Sequence, residues 1–321
     1  MIPVQTEAFR DASLGDAPDH VDDRTPSSLS AEDKVDDDRL LGQFIPLHYH
    51  YQMLLDDARM APFEAAIAQA VTPGARVVEL GAGTGVLSFF AARAGAAKVW
   101  AVERLPHLAQ AARRFLTRNG VDDRVSVVQA DAFEFLPPEP VDVVVCEMLH
   151  TGMIREKQVQ VIRAFKQRYA ARFAGHPLPR FVPEATVLAV QPVEQAYTFH
   201  GYQAEVPMFL LGASPGTRPL CRHLTYGSWF YDDEVPVALS CDAVLTAEEA
   251  GTLNALRFAT RNLLAVIPAQ RSSIDWDMNH LIVPLEHPLT VAPGDRVRVR
   301  FRYDAGDSML ALLAAIAVDR V

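Results

Sequence analysis

The chain has 321 residues, half of them hydrophobic, enough to bury cores for two domains of ordinary size. A formal net charge of −10 at pH 7, with no block of Lys or Arg, argues against a nucleic-acid partner, whose phosphates the average surface would repel. Three scattered cysteines (Cys146, Cys221, Cys241), no apolar run of membrane-spanning length and an opening MIPVQTEAF unlike a secretory leader predict a soluble cytoplasmic protein. No metal site is expected from the cysteine spacing, and the acidic surplus suits a cationic or small partner or, equally, serves only solubility.

Residues 1–38 are rich in Asp, Ser and Pro and poor in apolar periodicity, so they read as a disordered acidic tail. From Leu40 to about Ala70 the pattern is helical, with Met53, Leu54, Ala58 and Met60 interleaved with Asp56, Asp57 and Arg59. Between Arg76 and Phe181 strands and helices alternate. Arg76–Leu80, Lys98–Glu103, Val125–Gln129 and Val141–Cys146 are the predicted strands; Val86–Ala94, His107–Asn119 and Glu156–Phe173 are the predicted helices. Alternation at this pace implies parallel strands joined by helical crossovers. After Pro177 the grammar changes. Thr186–Val193, Val237–Leu245, Leu263–Ile267, His280–Leu285 and Arg296–Tyr303 are apolar, often β-branched runs separated by Pro, Gly and Asp, as in an antiparallel sandwich or barrel.

The run VVELGAGTG (Val77–Gly85) sets Gly81, Gly83 and Gly85 between a buried strand and a helix, where glycine permits a tight turn and close approach of a ligand. Glu103 closes the next strand, about 20 residues past the glycines, where an acid accepts hydrogen bonds from ribose hydroxyls. Asp131, with Ala132 beside it, ends the third strand and is placed to line an adenine. Nicotinamide dehydrogenases use a similar turn, but their pattern needs a glycine where Val86 stands. ELGAGTG resembles instead the first motif of class I S-adenosylmethionine-dependent methyltransferases, and VWAVE and VVQADAF resemble the second and third. The resemblance implies S-adenosylmethionine as cofactor, S-adenosylhomocysteine as product and no metal. It also counts Glu79 and Arg104, which sit within or beside these motifs, among the cofactor contacts.

Chemistry in open α/β sheets sits beyond the carboxyl ends of the strands, where the fourth strand delivers Glu147. Glu156 follows after the eight residues MLHTGMIR, a segment long enough to fold back. A guanidinium has a pKa of about 13.8, so simple deprotonation is costly, but its fork of N–H donors matches carboxylates. Two carboxylates in one pocket would draw positive charge toward themselves and leave the remaining nitrogen aimed at a methyl carbon about 3 Å away. Spacing alone leaves equally open that Glu156 only begins a helix, where acids are favoured.

CEMLHTGMIREK resembles the double-glutamate loop of protein arginine methyltransferases, SExMGYxLxxE, with both glutamates at the family's spacing. HYHYQMLLDDARM resembles the segment that precedes the first motif, which implies that His50 and Arg59 contact the cofactor carboxylate and that Met53 packs at the active site. RFVPEATVLAV resembles the passage into a C-terminal β-barrel, with Pro183 as the cis-proline, and HPLTVAPGDRVRV (His287–Val299) resembles late barrel strands. The resemblance runs from about Leu40 to the C-terminus, most closely through Val190. It implies a Rossmann-like S-adenosylmethionine-binding domain over 39–182 and a β-barrel-like substrate and dimerisation domain over 183–321. It also implies Glu147 and Glu156 as the catalytic pair, with Glu147 touching cofactor as well. Arginine, free or within a protein, is the implied acceptor, and a homodimer would form through an arm at Phe199–Trp229.

Departures from the family cluster where the acceptor would be held. In SSIDWDMNHL, Trp276 is kept but Asp275 stands where a histidine is expected; Asp275, Trp276 and Asp277 are read as an acidic, aromatic rim suited to a cation. Leu40, Leu41 and Phe44 stand in place of hydroxylated aromatics, and His150 and Thr151 in place of Gly-Tyr. Two alternatives therefore stay open: transfer to an amine, hydroxyl or carbon of a small natural product, or a catalytically silent homologue that only binds S-adenosylmethionine. A DNA amine methyltransferase is disfavoured, because the fourth strand ends in CEML rather than Asn/Asp-Pro-Pro-aromatic.

Overall fold

A computed structural model of the chain describes residues 47–210, 214 and 216–321. The expected acidic tail and the positions Leu40, Leu41 and Phe44 lie outside the described residues. The helical stretch is two helices, α1 (Leu47–Leu54) and α2 (Asp57–Ala70). Asp56 divides them: its carboxylate accepts a hydrogen bond from the Arg59 backbone N–H and caps α2. Helix α1 buries none of its residues, whereas α2 buries Phe63, Ala66, Ile67 and Ala70.

The alternating region follows as β1 (Arg76–Leu80), α3 (Val86–Arg93), β2 (Lys98–Glu103), α4 (Pro106–Arg118), β3 (Val125–Gln129), β4 (Val143–Cys146), α5 (Gln158–Arg172) and β5 (Arg180–Val182). The strands form one parallel sheet in the order β3-β2-β1-β4-β5. Val77, Val78, Leu80, Val143, Val144 and Val145 are buried, as strands covered on both faces require. The strand order reverses between β1 and β4, which opens a crevice at their carboxyl ends. Helix α5 begins at Gln158 rather than Glu156, so Glu156 belongs to the loop after β4 and is not a helix-starting acid.

The chain leaves this sheet through a cis Val182–Pro183 bond. There follow β6 (Ala185–Gln195), β7 (Thr198–Phe199), β8 (Tyr202–Gln203), β9 (Met208–Leu210), β10 (Thr217–Pro219), β11 (Leu224–Phe230), β12 (Ala238–Thr246), β13 (Gly251–Ile267), β14 (Ser272–Asp277), β15 (His280–Val291), β16 (Arg296–Asp304), α6 (Met309–Ala315) and β17 (Ala317–Arg320). One antiparallel sheet runs β10-β6-β13-β15-β9, with β11 also on β6 and β14 also on β13; a second runs β12-β16-β17. Strand β13 reaches 12 residues further toward the N-terminus than the apolar run Leu263–Ile267 suggests. Arg257 and Arg261 on one face and buried Thr260 and Asn262 on the other mask its period-2 pattern. The segment Phe199–Trp229 contains short strands and no helix among its described residues. Among the described residues no helix is long and apolar enough to cross a membrane.

Candidate active site

The glycine turn after β1 is built by backbone geometry. Gly81, Gly83 and Gly85 have φ of 79°, 53° and 81°, a region that side chains rarely adopt. Each also meets a close neighbour. A Cβ on Gly83 would lie 2.6 Å from His50 Cε1, and one on Gly81 would lie 3.0 Å from Met148 Cγ. A Cβ on Gly85 would meet Leu116 at 3.1 Å, so that glycine serves the contact between the turn and α4 rather than the cavity. Two buried acids hold the turn. Glu79 accepts hydrogen bonds from the Ser88 N–H (2.8 Å) and the Ser88 hydroxyl. Burial pushes the Glu79 carboxyl up to about 8 in spite of those bonds. Glu103 accepts from Gly83 N–H (2.9 Å) and Leu105 N–H (2.8 Å), which ties the turn to the end of β2. Asp131 accepts from Phe133 N–H (2.9 Å) and so fixes the loop after β3.

A single cavity opens over these strand ends. Glu79, Gly81, Gly83, Glu103 and Arg104 line it from β1 and β2, and Asp131 and Ala132 from β3. His50, Met53 and Arg59 close it from the first two helices, and Glu147 and Glu156 enter from the loop after β4. The donor set fits S-adenosylmethionine. His50 Nε2 and Arg59 Nε, on two residues that line the cavity, are buried without a hydrogen-bond partner. Glu103 and Asp131 bring carboxylate oxygens, which can only accept, to the same cavity.

Both glutamates reach this cavity because the loop carrying them is anchored at several points. Gln158, buried at the start of α5, donates to Cys146 O (2.7 Å) and accepts from Met148 N–H (2.9 Å), so one amide brackets Glu147. Arg59 pairs with Glu147, both side chains being largely covered, at 13% and 12% exposed. Gly152 donates its N–H to Thr260 Oγ1 (2.8 Å) on β13 and accepts from the Tyr303 hydroxyl (2.7 Å) on β16, which is bonded to Tyr226 OH at 2.8 Å. Thr151 Oγ1 donates to Asn279 O (2.7 Å), and Arg155 N–H donates to Asp307 O (2.7 Å). The antiparallel strands thus fix the loop that joins the two carboxylates.

The electrostatics differ between the pair. Burial raises the Glu147 carboxyl above its ordinary value, and the Arg59 charge works against that rise. Glu156 is pushed up to about 7, first by burial and then by the charge of Glu147, with Arg155 and Arg59 opposing. Burial and the neighbouring carboxylate of Glu147 thus both hold Glu156 toward its neutral form. His150, where the family has Gly-Tyr, is held down to about 4 by burial, so its ring is neutral at pH 7; it meets Phe209 edge-on at 5.1 Å.

Asp275, Trp276 and Asp277 do not line the cavity. Asp277 makes a bidentate pair with Arg261 (2.8 and 3.0 Å), and Asp275 lies 3.8 Å from the same guanidinium, beyond hydrogen-bond reach, with its Oδ1 buried and unpartnered. Trp276 touches the site through Arg59. The guanidinium lies 5.1 Å from its ring centroid, and Phe63 packs edge-on against the indole at 5.6 Å. Gln158, Thr260 and Tyr303 were not singled out from the sequence. Gln158 carried a readable signal, a polar residue at a position in register with the apolar face Val161, Ile162, Phe165 and Tyr169.

Comparison with known proteins agrees with this geometry. Residues 77–170 match a methyltransferase domain family. An arginine N(omega)-methyltransferase of Streptomyces achromogenes subsp. streptozoticus is 34% identical over 282 residues, covering 78% of this chain and 75% of that protein. Protein arginine N-methyltransferase 2 of Dictyostelium discoideum is 31% identical over 141 residues, which cover 43% of this chain and 27% of that one. Among solved structures, Trypanosoma brucei PRMT1, in an enzyme–prozyme heterotetramer with AdoHcy, superposes with a TM-score of 0.65 at 17% identity, over 84% of this chain and 96% of that chain. Arabidopsis thaliana protein arginine methyltransferase 10 gives 0.66 at 16% identity, over 81% and 88%. These two likenesses establish a Rossmann-like parallel sheet followed by an antiparallel region. Together with the glycine turn, the paired glutamates and the Streptomyces relative, they place the chain in the arginine N-methyltransferase family, as a class I S-adenosylmethionine-dependent methyltransferase.

Proposed function

We propose that this enzyme transfers a methyl group to a terminal nitrogen of the arginine guanidinium, gripped between Glu147 and Glu156, and that free L-arginine is the acceptor. The observation that carries the reading is that both glutamates line the cavity that the glycine turn and Glu103 also line. The Streptomyces relative, aligned over most of both chains, is named for arginine itself, whereas the Dictyostelium protein-arginine enzyme aligns over 43% of this chain. Bound in the cavity, S-adenosylmethionine supplies a methyl carbon made electrophilic by its sulfonium. Glu103 receives the ribose, and His50 and Arg59 meet the carboxylate. Arg59 also pairs with Glu147 and, braced on Trp276, keeps that carboxylate in place. An entering guanidinium replaces the repulsion between the two carboxylates with attraction, so Glu156 ionises as the substrate binds. Two N–H edges are then held and the remaining nitrogen keeps its lone pair for attack. After transfer the attacking nitrogen carries both the new methyl group and its hydrogen and is strongly acidic, and the ionised Glu156 carboxylate accepts that proton as S-adenosylhomocysteine leaves.

The test is methyl transfer by the purified chain to L-arginine and to an arginine-rich peptide, read by mass spectrometry. Turnover of L-arginine is expected to exceed that of the peptide. A preference for the peptide would reassign the acceptor, and failure with every guanidine would overturn the reading.

A further inference from the structure

Glu156 is flanked in sequence by two cations, Arg155 and Lys157, and neither has a carboxylate partner among the described residues. Lys157 lines the same cavity as the two glutamates. Its ammonium donates to Gly306 O (2.7 Å), and its stem packs so closely on Gly306 that a Cβ there would fall 2.8 Å from Lys157 Cδ. The ammonium is therefore preorganised, with two of its three donors unused by that bond. Arg155 is exposed and held at a φ of 66°, a costly conformation for a residue with a side chain. Its backbone N–H is pinned by Asp307 O, and the neighbouring Gly306 N–H donates to Met153 O (2.6 Å), which secures the same turn. Arg155 directly precedes Glu156 and is exposed; it stands outside the lining of the cavity that Glu156 and Lys157 share.

Positive charge beside a clamp for a cation needs a reason. A guanidinium inside a polypeptide brings no carboxylate of its own residue, and both cations would only repel it. Free arginine carries a carboxylate at the far end of the side chain, where a cationic pair can meet it.

We infer that Lys157 and Arg155 form the element that recognises the α-carboxylate of a free amino-acid acceptor, so that the loop reads both ends of arginine at once. This rests on the arginine reading above and adds what selects the free amino acid. Charge-assisted hydrogen bonds to a carboxylate are worth on the order of 10- to 100-fold in affinity. The probe is agmatine, the same guanidine without the carboxylate, compared with L-arginine in kcat/KM and in calorimetric affinity for the protein loaded with S-adenosylhomocysteine. The wild type is expected to prefer L-arginine by that margin. In Arg155→Gln combined with Lys157→Gln the preference should collapse toward one, while Arg155→Lys should keep most of it. Equal handling of agmatine and L-arginine by the wild type would overturn this inference and leave the guanidinium clamp standing. So would a preference that survives in the double variant. Failure of both guanidines to bind or react would overturn the clamp as well.

Discussion

The two ends of the cavity are built in different ways. At the cofactor end the parts are local: Glu79 and the glycines belong to one turn, Glu103 to the adjoining strand and Asp131 to the next, and short-range bonds such as Glu79 with Ser88 hold them. At the acceptor end the loop from Glu147 to Glu156 is anchored by Thr260 and Tyr303, 108 and 151 residues away from Gly152. The glycine turn and its acids can be supported by the parallel sheet itself, whereas Arg59, braced on Trp276, and the loop between the glutamates depend on the antiparallel strands. This contrast predicts that damage to the two ends separates cleanly, binding of cofactor on one side and chemistry on the other.

The largest expected effect is on chemistry alone. Glu147→Gln keeps the size of the side chain but removes the charge that grips the guanidinium, and kcat for L-arginine is expected to fall by about 100- to 1,000-fold. Comparable turnover in the variant would show that the charge of this residue is not used. At the other end, Gly83→Ala sets a methyl against the His50 ring at a positive φ. It should weaken S-adenosylhomocysteine binding by about 10-fold or more, taking the usual cost of such a conformation at about 1–3 kcal/mol. Calorimetry checks this, and unaltered affinity would mean that the turn does not touch the ligand. A third change probes the long-range anchor. Thr260→Val leaves the Gly152 N–H without its acceptor and should cost about 1–3 kcal/mol. It is expected to lower kcat about 10-fold while S-adenosylhomocysteine affinity changes less than twofold. A loss divided equally between the two would blur the contrast.

The smallest expected effect is on pH. Glu156 titrates near 7 without substrate, and a bound guanidinium stabilises its ionised form, so arginine binding releases a proton. KM for L-arginine should therefore rise several-fold from pH 8 to pH 6, and Glu156→Gln should flatten that dependence. In the free protein the sign for stability is the reverse. Carboxyls raised above their unfolded values, as in Glu79 and Glu156, favour the fold at low pH and lose that contribution as pH climbs from about 4.5 through 7 to 8. The melting temperature of the cofactor-free chain should accordingly drop modestly between pH 6 and pH 8.

The same contrast explains what could be read from the chain. Parallel strands buried on both faces announce themselves as apolar runs such as VVELGAG and VVVC, and a glycine turn with an acid at the next strand end is a local pattern. The pairing of Glu147 with Glu156 was not legible from spacing, which left a helix-starting acid equally open; the likeness of CEMLHTGMIREK to a family loop was what favoured it. Strand β13 was only partly legible, because Thr260 and Asn262 are polar residues buried to serve hydrogen bonds, Thr260 to Gly152 and Asn262 to Thr186. Asp275 and Asp277 looked like a rim because an acid next to tryptophan suits a cation. Their partner, Arg261, comes from the neighbouring strand, and strand pairing at that register is not written in local sequence. Tyr303, bonded to the loop, and Tyr226, bonded to Tyr303, belong to the same class, since they come from two different sheets.

The central claim is that two carboxylates grip one planar cation beside the cofactor. Glu156→Gln tests it most directly, through single-turnover methyl transfer to L-arginine measured beside affinity for S-adenosylhomocysteine. Transfer is expected to slow by about 100-fold or more with affinity within a factor of two of the unmodified protein. Transfer at the unmodified rate, with cofactor binding intact, would contradict it.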